Sequence, residues 1–133
     1  MHNPQSLKRP LRAHEVPTEV WYSGTDREIR GRALCDVGGK ARVGVGLMEL
    51  PAGSNTKPSH WHSHEEEHLY ALSGSAILHL GTEQHLLESG SYACFPAGQS
   101  VGHHLENPSP EAFVYLIVGE RIADDKVTYP SAA

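Results

Sequence analysis

His60-Trp61-His62-Ser63-His64-Glu65-Glu66-Glu67-His68 lies between two turn-forming residues, Pro58 and Gly74, and holds four histidines and three glutamates. In an extended strand, side chains at i and i+2 share a face, so His60 and His62 can reach one metal ion together. Glu67, returning after a short bend, is best placed to add a carboxylate. Imidazole with carboxylate suits a first-row metal such as zinc, iron, nickel, copper or manganese rather than calcium or magnesium. His62 and His64 share the same spacing, but they leave only two residues before Glu67, and Glu66 is closer still.

A literal rival is His64-Glu65-Glu66-Glu67-His68, which spells the H-E-x-x-H of zinc proteases. That motif needs a helix to bring both histidines to one face. Pro58 upstream, Gly74 downstream and the alternation between them argue for strands instead. The longer protease signature also fails, because Ala71 and Gly74 stand where Gly and His belong.

Outward from this stretch, turn signals recur every 8–12 residues. Strands are expected over 29–37, 41–50, 69–72, 76–80, 84–87, 92–95, 102–107 and 112–118, the last being the most apolar. The breaks fall at Gly38-Gly39, Pro51-Ala52-Gly53, Gly74, Gly81-Thr82-Glu83, Ser89-Gly90, Pro96-Ala97-Gly98 and Asn107-Pro108-Ser109-Pro110. No amphipathic helix of about 12 residues interrupts them. The expected class is all-β, an antiparallel sandwich or barrel. Residues 1–40 read as an arm with edge strands, 41–119 as the barrel and 120–133 as a tail.

The chain of 133 residues suffices for one domain with a real core. Its net charge of −5 is uneven: residues 1–42 carry eight Lys/Arg against five acids, whereas 43–119 carry eight acids against Lys57 alone. An acidic body argues against nucleic acid as partner and suits a protein that holds a cation. The start has no apolar signal core, and no run approaches the roughly 18 apolar residues of a membrane span. A soluble, cytoplasmic protein is expected. Cys35 and Cys94 are too few for a disulfide framework and read as buried small hydrophobes.

Downstream, His103 offers a fourth donor. Strands distant in sequence become neighbours in a β-sandwich, so His103 can complete a set with His60, His62 and Glu67. Such a set leaves one or two positions for water or substrate, as catalytic metal sites do. Gly53, His60-x-His62, Glu67 and Gly74 resemble the first conserved motif of the cupin superfamily; Gly90, Pro96-x-Gly98, His103 and Asn107 resemble the second. Two loop spacings depart from it, with six residues between Gly53 and His60 and four between Gly98 and His103. The resemblance covers about residues 43–119 and is nearest to small bacterial single-domain cupins. It implies a double-stranded β-helix, or jelly-roll barrel, usually a homodimer, with one divalent transition metal (zinc, iron, manganese or nickel) near the barrel mouth.

Among the other histidines, His64 and His104 flank the candidate ligands and read as exposed, with partner or proton-carrier roles as the alternative. His68 is expected on the opposite face of its strand from Glu67, and His79 and His85 on the surface of a hairpin. Asn107 reads as a turn residue that orients a loop. Tyr70, Tyr92 and Tyr115 read as core aromatics. Val45, Leu47, Met48, Leu69, Phe95, Leu105, Phe113 and Tyr115 are candidate pocket walls.

No arginine occurs between 43 and 119, so a phosphate would need Arg27, Arg30, Arg32, Arg42 or Arg121. The expected ligand is a small oxygenated molecule that chelates the metal. The expected activity is that of a metalloenzyme, either a dioxygenase or a lyase or isomerase. The alternative is a non-catalytic small-molecule or metal-binding module.

Overall fold

A computed structural model describes residues 8–130. The chain forms β1 (Glu19–Trp21), β2 (Ile29–Ala33), β3 (Val43–Leu50), β4 (Trp61–His62), β5 (Glu67–Ser73) and β6 (Ala76–Leu80). It continues through β7 (Glu83–Leu87), β8 (Tyr92–Phe95), β9 (His103–Glu106), β10 (Phe113–Glu120) and β11 (Val127–Thr128). Two single 3-10 turns, Ala13–Glu15 and Leu34–Asp36, are the helical elements among the described residues. The strand expected over 29–37 therefore ends early, at Ala33, where the chain coils toward Gly38 and Gly39 at φ 81° and 114°. No strand was expected in the tail, yet β11 pairs with β4.

The long sheet runs β1-β2-β3-β10-β5-β8, the facing sheet β7-β6-β9, and β4-β11 forms a short ribbon. Bridges at Asn55–Glu106 and His60–His103 tie the loop between β3 and β4 to β9. The result is a jelly-roll sandwich: the turn spacing indicated an antiparallel sandwich or barrel, and the cupin resemblance implied the jelly roll. Its core is the inward row of each sheet: Leu50, Leu69, Ala71, Phe113 and Tyr115 from one, Ala76, Leu78, Leu87 and Leu105 from the other. Each Leu or Phe buried in this way contributes about 1.5–3 kcal/mol. On β3 the inward residues are Met48 and Leu50, so the face left open by sequence is the one opposite Val45 and Leu47.

Two positions fix the closed end. Gly74 turns β5 into β6 at φ 76°, and a Cβ there would meet the Ala112 carbonyl oxygen at 2.2 Å, so only glycine fits. Asn107, fully buried, donates to the carbonyls of Leu50 (2.9 Å) and Glu111 (2.8 Å) and accepts from the Ser109 amide (3.0 Å). Its side chain thus stitches the end of β3 to the loop before β10, which is the loop-orienting role its sequence context suggests. Asn107→Asp removes both donors and buries a carboxylate against two carbonyls. The variant is expected to lose about 2–3 kcal/mol, read as a lower urea midpoint with unchanged slope. A midpoint equal to the parent's would show that water replaces the lost donors.

Candidate metal centre

The two histidine segments meet through their backbones. His60 donates its N–H to the His103 carbonyl (3.2 Å), and His103 returns the bond (3.0 Å). The pairing brings their rings to 4.7 Å between centroids, and the His62 ring stands edge-on to His60 at 5.1 Å. Glu67 comes from the first position of β5, opposite Gly119 on β10 and Phe95 on β8. Because position 119 is glycine, nothing crowds the carboxylate; a Cβ there would lie 3.2 Å from Glu67 Cγ.

Donor atoms of His60, His62 and Glu67 all lie within 4.8 Å of one another. Glu67 Oε1 is 3.1 Å from His62 Nε2 and 3.8 Å from His103 Nε2. His103 is further held by Phe95, whose ring stacks on it at 3.7 Å and 7°.

The electrostatics of this group suit a cation. Burial, with the neighbouring His60, His62 and His104, pushes His103 down to about 3. Burial and His62 also lower His60. Both imidazoles are therefore neutral near pH 7, with lone pairs free to ligate. Burial raises Glu67, and the opposing pull of His62 does not cancel that. A half-buried carboxylate that faces neutral His60 and His103 has little positive charge near it, and a divalent ion would supply it.

The tail straps this corner. Asp125 Oδ2 sits 2.7 Å from His62 Nδ1, while its Oδ1 accepts the N–H groups of His64 (2.9 Å) and Glu65 (3.0 Å). Burial works against the Asp125 charge, but these three hydrogen bonds prevail and hold it at about 2. Glu65 in turn accepts the Ile122 N–H (2.8 Å), and the Tyr129 ring lies 6.2 Å from His60. Nε2 lies within hydrogen-bond reach of Glu67, and with an ion bound the carboxylate on Nδ1 would fix the tautomer that frees the Nε2 lone pair to ligate.

A cavity of about 240 Å³ opens beside His60, Glu67 and His103, walled by Met48, Leu69, Phe95, Leu105, Tyr115 and Ile117. Glu67, Met48 and Ile117 also border a second cleft of about 240 Å³, which reaches Trp21, Val45, Arg32 and Arg121. Of the walls expected from sequence, Val45 and Leu47 do not line the first cavity, and Phe113 lies beneath it, stacked on Tyr115. Arg121 is paired by both guanidinium nitrogens with Asp36 (2.8 and 3.1 Å), and Arg32 donates to the carbonyls of Ala13 and Val16.

The family model for the cupin domain matches residues 46–119. The chain belongs to the cupin family. Among solved structures, it is similar to a sugar phosphate isomerase from Silicibacter pomeroyi (24% identity, 93% of this chain and 83% of that one, TM-score 0.84). It is also similar to a provisionally assigned sugar phosphate isomerase from Acidithiobacillus ferrooxidans (28%, 91% and 80%, TM-score 0.80). A third likeness is the polyketide cyclase RemF from Streptomyces resistomycificus (20%, 96% and 88%, TM-score 0.79). Comparison with curated proteins finds no match.

Asp125 of this cupin lies outside the matched segment, and sequence reasoning passed it over as part of a polar tail. The one signal was the acidic pair Asp124-Asp125, which has no spacing relation to the histidines. His64 is exposed, its ring on Ser63, as expected. His104 is not: it stacks on His79 at 4.4 Å, bonds Ser59 through Nδ1, and leaves Nε2 buried without a partner among the described residues. Burial and His79 push it down to about 4. His79 is half-buried against Glu106, whereas His85 is exposed beside Glu83. Tyr115 is buried, but Tyr70 and Tyr92 face solvent on the outer side of β5 and β8 rather than the core. Among the described residues no helix is long and apolar enough to cross a membrane.

The strap gives a prediction. Asp125→Asn keeps the shape and removes the negative charge that faces His62 Nδ1, so divalent-metal affinity should fall by roughly 10–100-fold, measured by chelator competition. Affinity equal to the parent's would show that packing alone orients His62.

Proposed function

We propose that this cupin is a metal-dependent enzyme whose ion is held by His60, His62, Glu67 and His103. Its substrate would be a small oxygenated molecule that chelates the ion. The observation that carries this reading is the convergence of imidazoles and one half-buried carboxylate on the wall of an apolar cavity. A bound divalent ion would polarise a substrate oxygen or acidify a bound water, or activate dioxygen if redox-active. The chain's own residues do the rest. Neutral His60 and His103 ligate without first losing a proton. Asp125 orients His62. Tyr115, whose pKa burial and Glu67 both raise, stays protonated and offers an O–H at the cavity wall. Met48, Leu69 and Phe95 exclude water from the inner side.

Lyase or isomerase chemistry next to a carbonyl fits this set, as does oxygen chemistry, and the metal separates them. The likeness to a provisionally assigned sugar phosphate isomerase supports the former. So do Arg32 and Arg121, which line the adjoining cleft together with Glu67. The reading includes a cytoplasmic homodimer. Exposed Val20 and Trp21 on the edge strand β1, with Tyr22 beyond it, support an intersubunit contact there.

Protein purified without a histidine tag should retain about one transition-metal ion per chain, identified by elemental analysis. Iron or manganese would favour oxygen chemistry, and zinc Lewis-acid chemistry. Glu67→Gln should weaken retention beyond the roughly 100-fold upper range of an outer partner such as Asp125. Undiminished retention in that variant would remove Glu67 from the ligand set. Metal-dependent turnover of a chelating hydroxy- or keto-acid panel would mark an enzyme; saturable binding without turnover would mark a binding module.

A further inference from the structure

A second group of metal-binding side chains lies on the outside of the same strands. In β5 the odd positions 67, 69 and 71 point inward, and His68 points out. Directly opposite it on β8 stands Cys94, and the bend before β5 brings Glu66 to the same face. One donor atom from each of Glu66, His68 and Cys94 falls within 4.8 Å of the others. His68 Nε2 is 2.8 Å from Glu66 Oε2, and His68 Nδ1 is 2.6 Å from Tyr92 Oη. Tyr92 is exposed, and its ring lies 5.9 Å from that of His68. Cys94 is half-buried and is a free thiol.

We propose that Glu66, His68 and Cys94 form a second, thiolate-containing site for a divalent ion of zinc type, separate from the centre inside the barrel. The donor set differs in kind from the inner one. A thiolate with imidazole and carboxylate selects zinc, cobalt or ferrous iron over the hard cations that an exposed acidic group attracts. The ion enters on the Nε2 side of His68, between the ring and Glu66. His68 then carries its proton on Nδ1 and donates it to Tyr92 Oη, the outward anchoring that ligating imidazoles require. Cys94 loses its thiol proton to solvent as the sulfur–metal bond forms, and water takes the fourth position.

The position gives the ion a task. β8 is an edge strand of the long sheet, held on one side by β5 alone among the described residues. An ion shared by Cys94 and His68 staples that edge to its neighbour. The next residue along β8, Phe95, is the one whose ring stacks on His103. The outer ion therefore steadies a wall of the inner centre without touching it.

Cobalt(II) titration of the metal-free protein tests this directly, because sulfur-to-cobalt charge transfer gives an intense near-ultraviolet band that nitrogen and oxygen ligands do not. The band should appear in the parent protein and in Cys35→Ser, and vanish in Cys94→Ser, which should bind one ion fewer per chain. His68→Gln, checked for folding by circular dichroism, should lose the band as well. Absence of the band at saturating cobalt, or its persistence in Cys94→Ser, would overturn the proposal. The inner centre is read separately, from the weaker visible bands that remain in Cys94→Ser, so failure of either site leaves the other's result intact.

Discussion

Two reciprocal backbone hydrogen bonds, between His60 and His103, hold this molecule's candidate centre together. They join segments 43 residues apart in the chain, and neither segment is a long strand. β4 is two residues long and β9 is four. Such short pieces have little pairing energy of their own, so their register must come from elsewhere. β9 gets it from β6, where Leu80 faces His103 and Leu78 faces Leu105. β4 gets it from the tail, through β11 and the Asp125 carboxylate. The centre thus rests on the facing sheet at one side and on the tail at the other, while Glu67 arrives from the long sheet.

This arrangement explains why the polar cluster can be buried. An unpaired carboxylate inside an apolar wall is costly unless a partner compensates it. Here the long sheet supplies the carboxylate, and the β4 and β9 segments supply the imidazoles. Burial keeps His60 and His103 uncharged, so those two cannot neutralise Glu67. A cation between its members would compensate the carboxylate for the whole set. Asp125 adds a second negative charge behind His62, which would strengthen Nε2 as a ligand toward a cation held there.

Much of the fold was legible because its signals are local. Gly74, Gly81 and Gly90 adopt positive φ where turns were expected, and the strand ranges 76–80 and 92–95 match those observed. The inward face of β3 was not legible, because Val45 and Leu47 compete with Gly46 and Met48 on almost equal terms. Packing against Ile117 on β10 decides it, and that is a contact between distant strands. Asp125 escaped for a related reason: a tail carboxylate has no periodic relation to a histidine 63 residues earlier. Tyr70 and Tyr92 failed as core residues because alternation assigns a face only once a neighbour's face is known. His68 opposite Cys94 settles theirs as outward.

Keeping guanidinium groups out of residues 43–119 leaves the cavity wall apolar, so no arginine of the barrel would compete with a cation at the candidate site. The two arginines that reach the adjoining cleft come from outside that range, and both are tethered: Arg121 by Asp36, Arg32 by carbonyls of the chain ahead of β1. A tethered guanidinium loses little freedom when it meets an anion; Arg32 retains donors beyond its two bonds, whereas Arg121 keeps only its Nε–H. Selectivity for an anionic end of a substrate, and ligation of its oxygenated end, would then reside in two different parts of the chain. Residues before β3 and after β10 would choose what enters, and the barrel between them would hold the ion that acts on it.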